Sequence, residues 1–90
     1  VGGRLAERVG RVLAELAKRN QVLCITHLPQ VAALADVHFQ VQKSGKGRRT
    51  VARIERLDAS QRVEEIARMA GGETITSATR RHARELLARR

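Results

Sequence analysis

The 90 residues, with one cysteine and no metal-ligand spacing, allow a single small domain and exclude a disulfide framework, which points to a reducing compartment. Eighteen Lys+Arg against nine Asp+Glu give a formal charge of +9; this favours an anionic partner such as nucleic acid, although a solvated surface accounts for it equally. Phe39 is the sole aromatic residue, so base-stacking platforms are missing; no apolar stretch nears the roughly 20 residues of a membrane span or forms a signal peptide, so a soluble cytoplasmic protein without a membrane partner is expected.

Val1-Gly2-Gly3 opens the chain without a methionine and passes directly into a helical pattern, as expected of a piece cut from a longer protein. From Arg4 to Arg19, Leu5, Val9, Val12, Leu13 and Leu16 recur at helical spacing, with Glu7/Arg11 and Glu15/Arg19 as i,i+4 pairs on the other face. Gly10 inside this helix costs about 1 kcal/mol relative to alanine unless another backbone approaches closely there. Asn20-Gln21 closes the helix. Val22-Leu23-Cys24-Ile25 is an unbroken apolar run that predicts a strand covered on both faces, as in a parallel sheet flanked by helices. Such a strand needs neighbours on both sides, and they are expected upstream, in a larger domain.

Thr26 and His27 leave this strand at its carboxyl end, where open α/β sheets place their ligands. Pro29 suits the first turn of a short helix over Pro29 to Ala35, which Asp36 ends. His27 is thus the leading candidate for chemistry, since an imidazole donates to an anionic phosphate oxygen or orients a water. A histidine after a buried strand is also a common structural cap.

Val37, Phe39 and Val41 alternate with His38, Gln40 and Gln42, the period of a half-exposed strand. Ser44-Gly45-Lys46-Gly47 turns the chain into a second extended run from Arg48 to Leu57, making a hairpin. Its tip lacks the spacing of a phosphate loop and is followed by a strand rather than a helix. Lys43, Lys46, Arg48 and Arg49 are there to contact a nucleic-acid backbone, or else to form a solvated turn. His38, alternating out of a strand, and His82, on a charged helix, are assigned to surface or partner contacts.

Asp58 and Gln61 form a capping box ahead of a helix with Val63, Ile66, Ala67 and Ala70 on one face, stopped by Gly71-Gly72. Thr76 caps a last helix whose stripe is Ala83, Leu86 and Leu87, with Glu85 set to pair with Arg89. Arg80, Arg81, Arg84, Arg89 and Arg90 make this end a second candidate for phosphates or for an acidic protein partner. The predicted order is α-β-α-β-β-α-α.

Val22 to Asp36, VLCITHLPQVAALAD, resembles the switch-histidine region of the RecN family, bacterial DNA-repair ATPases related to SMC proteins and ABC-type ATPases. Val1-Gly2-Gly3 resembles the end of that family's D-loop, and Glu64 to Gly72, EEIARMAGG, its late helix ending in paired glycines. The resemblance implies that residues 1–90 are the C-terminal segment of an ABC/SMC-type P-loop ATPase head, an α/β fold incomplete on its own. Walker A, signature motif and Walker B are absent, so most ligands for ATP and Mg2+ would lie outside this segment, which alone should be inactive. It further implies that His27 senses the γ-phosphate, that Val1, Gly2 and Gly3 lie at the interface of an ATP-sandwiched head homodimer, and that the whole protein acts on DNA double-strand breaks in the cytoplasm, associated with the nucleoid. The alternative is a stand-alone basic DNA-binding module without enzymatic activity; the buried strand speaks against it, because its edges would be left unpaired.

Overall fold

The computed structural model describes residues 2–45 and 47–90 and contains four helices and one hairpin among them: α1 (Gly3–Leu16), α2 (Pro29–Ala32), β1 (Phe39–Ser44), β2 (Val51–Arg56), α3 (Ala59–Gly71) and α4 (Ser77–Ala88). The class is α/β, with β1 and β2 antiparallel in a register running from Phe39 opposite Arg56 to Ser44 opposite Val51. The hairpin stands where the period-two alternation puts it, but with its faces reversed: Val37, Phe39 and Val41 are exposed, whereas His38 and Gln40 are half-buried against α3. Its second strand is shorter than the predicted Arg48 to Leu57.

The expected box at Asp58 forms, and Thr76 caps α4 in a second box where the sequence predicts a single cap. The Asp58 carboxylate accepts from Gln61 N–H at 2.8 Å while the Gln61 side chain accepts from Asp58 N–H at 2.9 Å, and Thr76 and Thr79 exchange the equivalent pair. Gly72 ends α3 in the left-handed region, at φ +79°, where a side chain would be strained. Helices α3 and α4 pack through Ile66, Ala67, Ala83 and Leu86 against Ala32 and Ala33, with Val63, Met69, Ile75 and Leu87 around this core. Ala70, assigned to the buried face of α3, is exposed; Arg62 and Glu65 are buried in its place.

The predicted strand at Val22–Ile25 is absent. Residues 21–26 run without regular structure, Leu23 and Ile25 are 86% and 97% exposed, and Cys24 is exposed as well. A strand exists only through inter-strand hydrogen bonds, and the single ladder among the described residues joins β1 to β2, so the apolar run has nothing to pair with. The observed order is therefore α-α-β-β-α-α.

Helix α1 also turns the other way round. Leu5, Val9, Val12 and Leu16 are exposed, whereas Ala6 and Gly10 are buried against α2. A Cβ on Gly10 would lie 2.7 Å from Leu34 Cδ1 and 3.4 Å from the Gln30 carbonyl oxygen and Val31 Cα, the close approach that explains a glycine inside a helix. The helix ends at Leu16 rather than Arg19, its terminal carbonyl accepting from Asn20 Nδ2 at 3.1 Å. α2 likewise stops at Ala32, short of Ala35. Among the surface pairs, Glu7–Arg11 forms at 3.7 Å; Glu15 pairs with Lys18 instead of Arg19, and Arg89 with Glu7 instead of Glu85.

Candidate functional site around His27

His27 stands exposed in a tight local arrangement. Thr26 Oγ1 accepts from the Leu28 backbone N–H at 3.0 Å, which bends the chain around the histidine. Leu28, extended as its place before a proline requires, is the N-cap of α2, with Pro29 at the first helical position. The Leu28 carbonyl accepts from Val31 N–H at 3.1 Å and Ala32 N–H at 3.0 Å. Pro29, Val31 and Ala32 are buried, so the exposed imidazole projects from a segment whose next turn is anchored in the core.

The anchor at the other end of α2 is Arg62, a residue with no motif to mark it. Its buried guanidinium donates through Nη2 to the carbonyls of Ala32 at 3.1 Å and Ala35 at 2.9 Å. Arg90 donates to the Ala35 and Asp36 carbonyls at 3.2 and 3.3 Å. Burial lowers the Arg62 pKa, the Arg90 charge lowers it further, and Asp36 opposes both. The signal was present in the spacing, since Arg62 precedes Ile66 by one helical turn and so lies on the core face of α3.

His38 is half-buried rather than freely exposed. Its Nδ1 is buried with no hydrogen-bond partner among the described residues, and burial, followed by the Arg62 charge, lowers its pKa against the opposing pull of Glu65. Glu65 in turn accepts from Gln40 Nε2 at 2.9 Å and pairs with Arg68, whose pKa this bond raises. The hairpin is thereby tied to α3.

The remaining predicted site residues lie apart. Gly2 is the N-cap of α1 at φ −67°, where a Cβ would find nothing within 4 Å, and a Cβ on Gly3 would meet only Gln30 Nε2 at 3.6 Å. Among the described residues nothing therefore demands glycine at either position. Val1 and Lys46 lie outside the described residues. Lys43, Arg48 and Arg49 are exposed at the hairpin tip and form no ion pair among the described residues. On α4, Arg80 is held by both oxygens of Glu64 at 3.0 and 3.1 Å and Arg89 by Glu7, which leaves Arg81 and Arg84 outside any described ion pair. No trio of His, Cys, Asp and Glu converges as a metal site among the described residues.

No family model matches the sequence. Curated relatives do, over 87 residues amounting to 97% of this chain. The DNA repair protein RecN of Bacillus subtilis (strain 168) is 46% identical, that of Mycobacterium tuberculosis (strain H37Rv) 51%, and that of Rickettsia felis 42%. The chain spans only 15%, 14% and 16% of those proteins, respectively. Matched along almost its whole length to a short stretch of each relative, the chain belongs to the RecN family.

Proposed function

We propose that this chain is the C-terminal segment of a RecN-type DNA-repair ATPase head and contributes the histidine that meets the γ-phosphate of ATP. The observation that carries the reading is the exposed His27, held between the Thr26 turn and the core-anchored α2 in a chain whose relatives are named DNA repair proteins. An imidazole so placed donates a hydrogen bond to a phosphate oxygen or orients the attacking water, and phosphoryl transfer depends mainly on such positioning. Magnesium would take its ligands from elsewhere in the complete protein, as would most of the nucleotide.

The exposed apolar surfaces support an incomplete head over a stand-alone DNA-binding module. Leu23 and Ile25 stand in water, as does the outer face of α1 with Leu5, Val9, Val12 and Leu16, a quantity of apolar surface that a free module would be expected to bury. In this reading the remainder of the head covers them and supplies strands on either side of residues 22–25. Val1, Gly2 and Gly3 meet a second head, which would account for glycines at positions 2 and 3 that the described residues do not themselves require. DNA is the proposed partner of the assembled protein, acting on double-strand breaks in the nucleoid. No helix among the described residues is long and apolar enough to cross a membrane.

The test is His27→Ala in the complete protein. ATP binding should persist while turnover at saturating ATP falls by roughly 10²-fold, because the group acts mainly in the transition state. Unchanged turnover removes His27 from the mechanism.

A further inference from the structure

Helix α2 is four residues long, too short to hold its own shape. The N–H groups of Ala33, Leu34 and Ala35 close on its carbonyls from the residues that follow, and Arg62 adds the bond that ties its last carbonyl, Ala32, to α3. A guanidinium leaves water at great cost unless acceptors receive it, and here a buried one is directed at two carbonyls of the same turn, at 3.1 and 2.9 Å. Ala32 links this contact to the histidine: its carbonyl accepts from Arg62, and its N–H donates at 3.0 Å to the carbonyl of Leu28, the residue next to His27. Arg90 reaches only the outer part of the turn, at Ala35 and Asp36.

We propose that Arg62 is a positioning residue for His27, fixing the direction of the imidazole through Ala32 and Leu28; the inference rests on the reading of His27 as the phosphate-directed group. An apolar residue of similar length would fill the space but remove the bonds that tie this turn to α3, leaving the Ala32 carbonyl only the Ala35 N–H at 3.2 Å and the Ala35 carbonyl only Arg90, so α2 would tilt and carry His27 with it. Lysine would keep the charge and return rotatable N–H donors, without the fixed plane in which Arg62 Nη2 meets both carbonyls. The loss should therefore appear in the chemical step and not in nucleotide affinity.

The experiment measures kcat and KM for ATP hydrolysis by the complete protein carrying Arg62→Met, Arg62→Lys, His27→Ala, or His27→Ala with Arg62→Met. Arg62→Met should lower kcat by about tenfold with KM within about twofold, Arg62→Lys should recover part of the loss, and Arg62→Met should cost nothing further where His27 is already alanine. A merely structural arginine would give losses that multiply across the two sites, and that result overturns the inference. Full activity of Arg62→Met beside a slow His27→Ala also overturns it while leaving the reading of His27 intact. Full activity of His27→Ala overturns both. Where Arg62→Met yields no folded protein, the same comparison with Arg62→Lys, alone and combined with His27→Ala, decides.

Discussion

Gly10 is the point where helix propensity and packing oppose each other most directly. Replacing it with alanine should stabilise α1 by about 1 kcal/mol on propensity alone. The new Cβ, however, would lie 2.7 Å from Leu34 Cδ1, well inside the roughly 3.5–4.0 Å at which carbon atoms attract. Leu34 is only 7% exposed, so its methyl group has little room to swing aside, and overpacking of this kind costs about 1–3 kcal/mol. Gly10→Ala should accordingly fall between neutral and about 2 kcal/mol destabilising. Removing Leu34 changes the sign. The next neighbours are the Gln30 carbonyl oxygen and Val31 Cα at 3.4 Å, close to ordinary contact, so Gly10→Ala in a Leu34→Ala background should recover the helix gain of about 1 kcal/mol. Leu34→Ala alone should cost about 2–5 kcal/mol. Native-state hydrogen exchange of the α1 and α2 amides, in the complete protein and its single and double variants, reads the opening free energies that form this cycle. Effects that add to within about 0.5 kcal/mol would refute the clash as the reason for glycine at this position.

Local rules read from the residues held where the interactions they describe are local. The boxes at Asp58/Gln61 and Thr76/Thr79 close within four residues, and the alternation from Val37 to Gln42 marks a hairpin whose partner follows after a short turn. The expectation for Val22–Ile25 required pairing with residues outside the hairpin, and the described chain has none to offer. The hydrophobic pattern of α1 locates a face that must be buried, but it does not say by what. Within this chain the smaller side, Ala6 and Gly10, is the one that α2 can approach, leaving the larger residues outward.

Of the surroundings of His27, the sequence revealed the helix start at Pro29 and not the support: the strand whose carboxyl end was expected to carry the histidine does not form, and Thr26 bends the chain there instead. Arg62 acts 35 positions away in sequence, on backbone carbonyls, which have no signature in a string of side chains. The burial of His38 was hidden for a related reason: alternation predicts which way it leaves the strand, whereas its burial comes from α3 packing across that face.

Two further outcomes are expected. His38, its pKa held below the ordinary imidazole value of about 6.5 by burial and the Arg62 charge, binds a proton less readily folded than unfolded, so its contribution is present above about pH 6.5 and lost as pH falls toward the folded value. Hydrogen exchange at β1 and α3, corrected for intrinsic rates between about pH 7.5 and 5.5, should show that slope flattened in His38→Gln; an equal slope in both proteins would assign the acid sensitivity elsewhere. The hairpin cations offer the other test, because Lys43, Arg48 and Arg49 are exposed without ion pairs among the described residues, whereas Arg80 and Arg89 of the competing helix are already engaged by Glu64 and Glu7. If Lys43, Lys46, Arg48 and Arg49 all meet phosphates, replacing the four with glutamine in the complete protein should reduce the slope of log affinity against log salt on duplex DNA by about 3.6, at about 0.9 per contact. The loss should be similar for unrelated duplex sequences, since phosphate contacts carry no base information. An unchanged slope would make the tip a solvated turn and move the search for the phosphate contacts to Arg81 and Arg84.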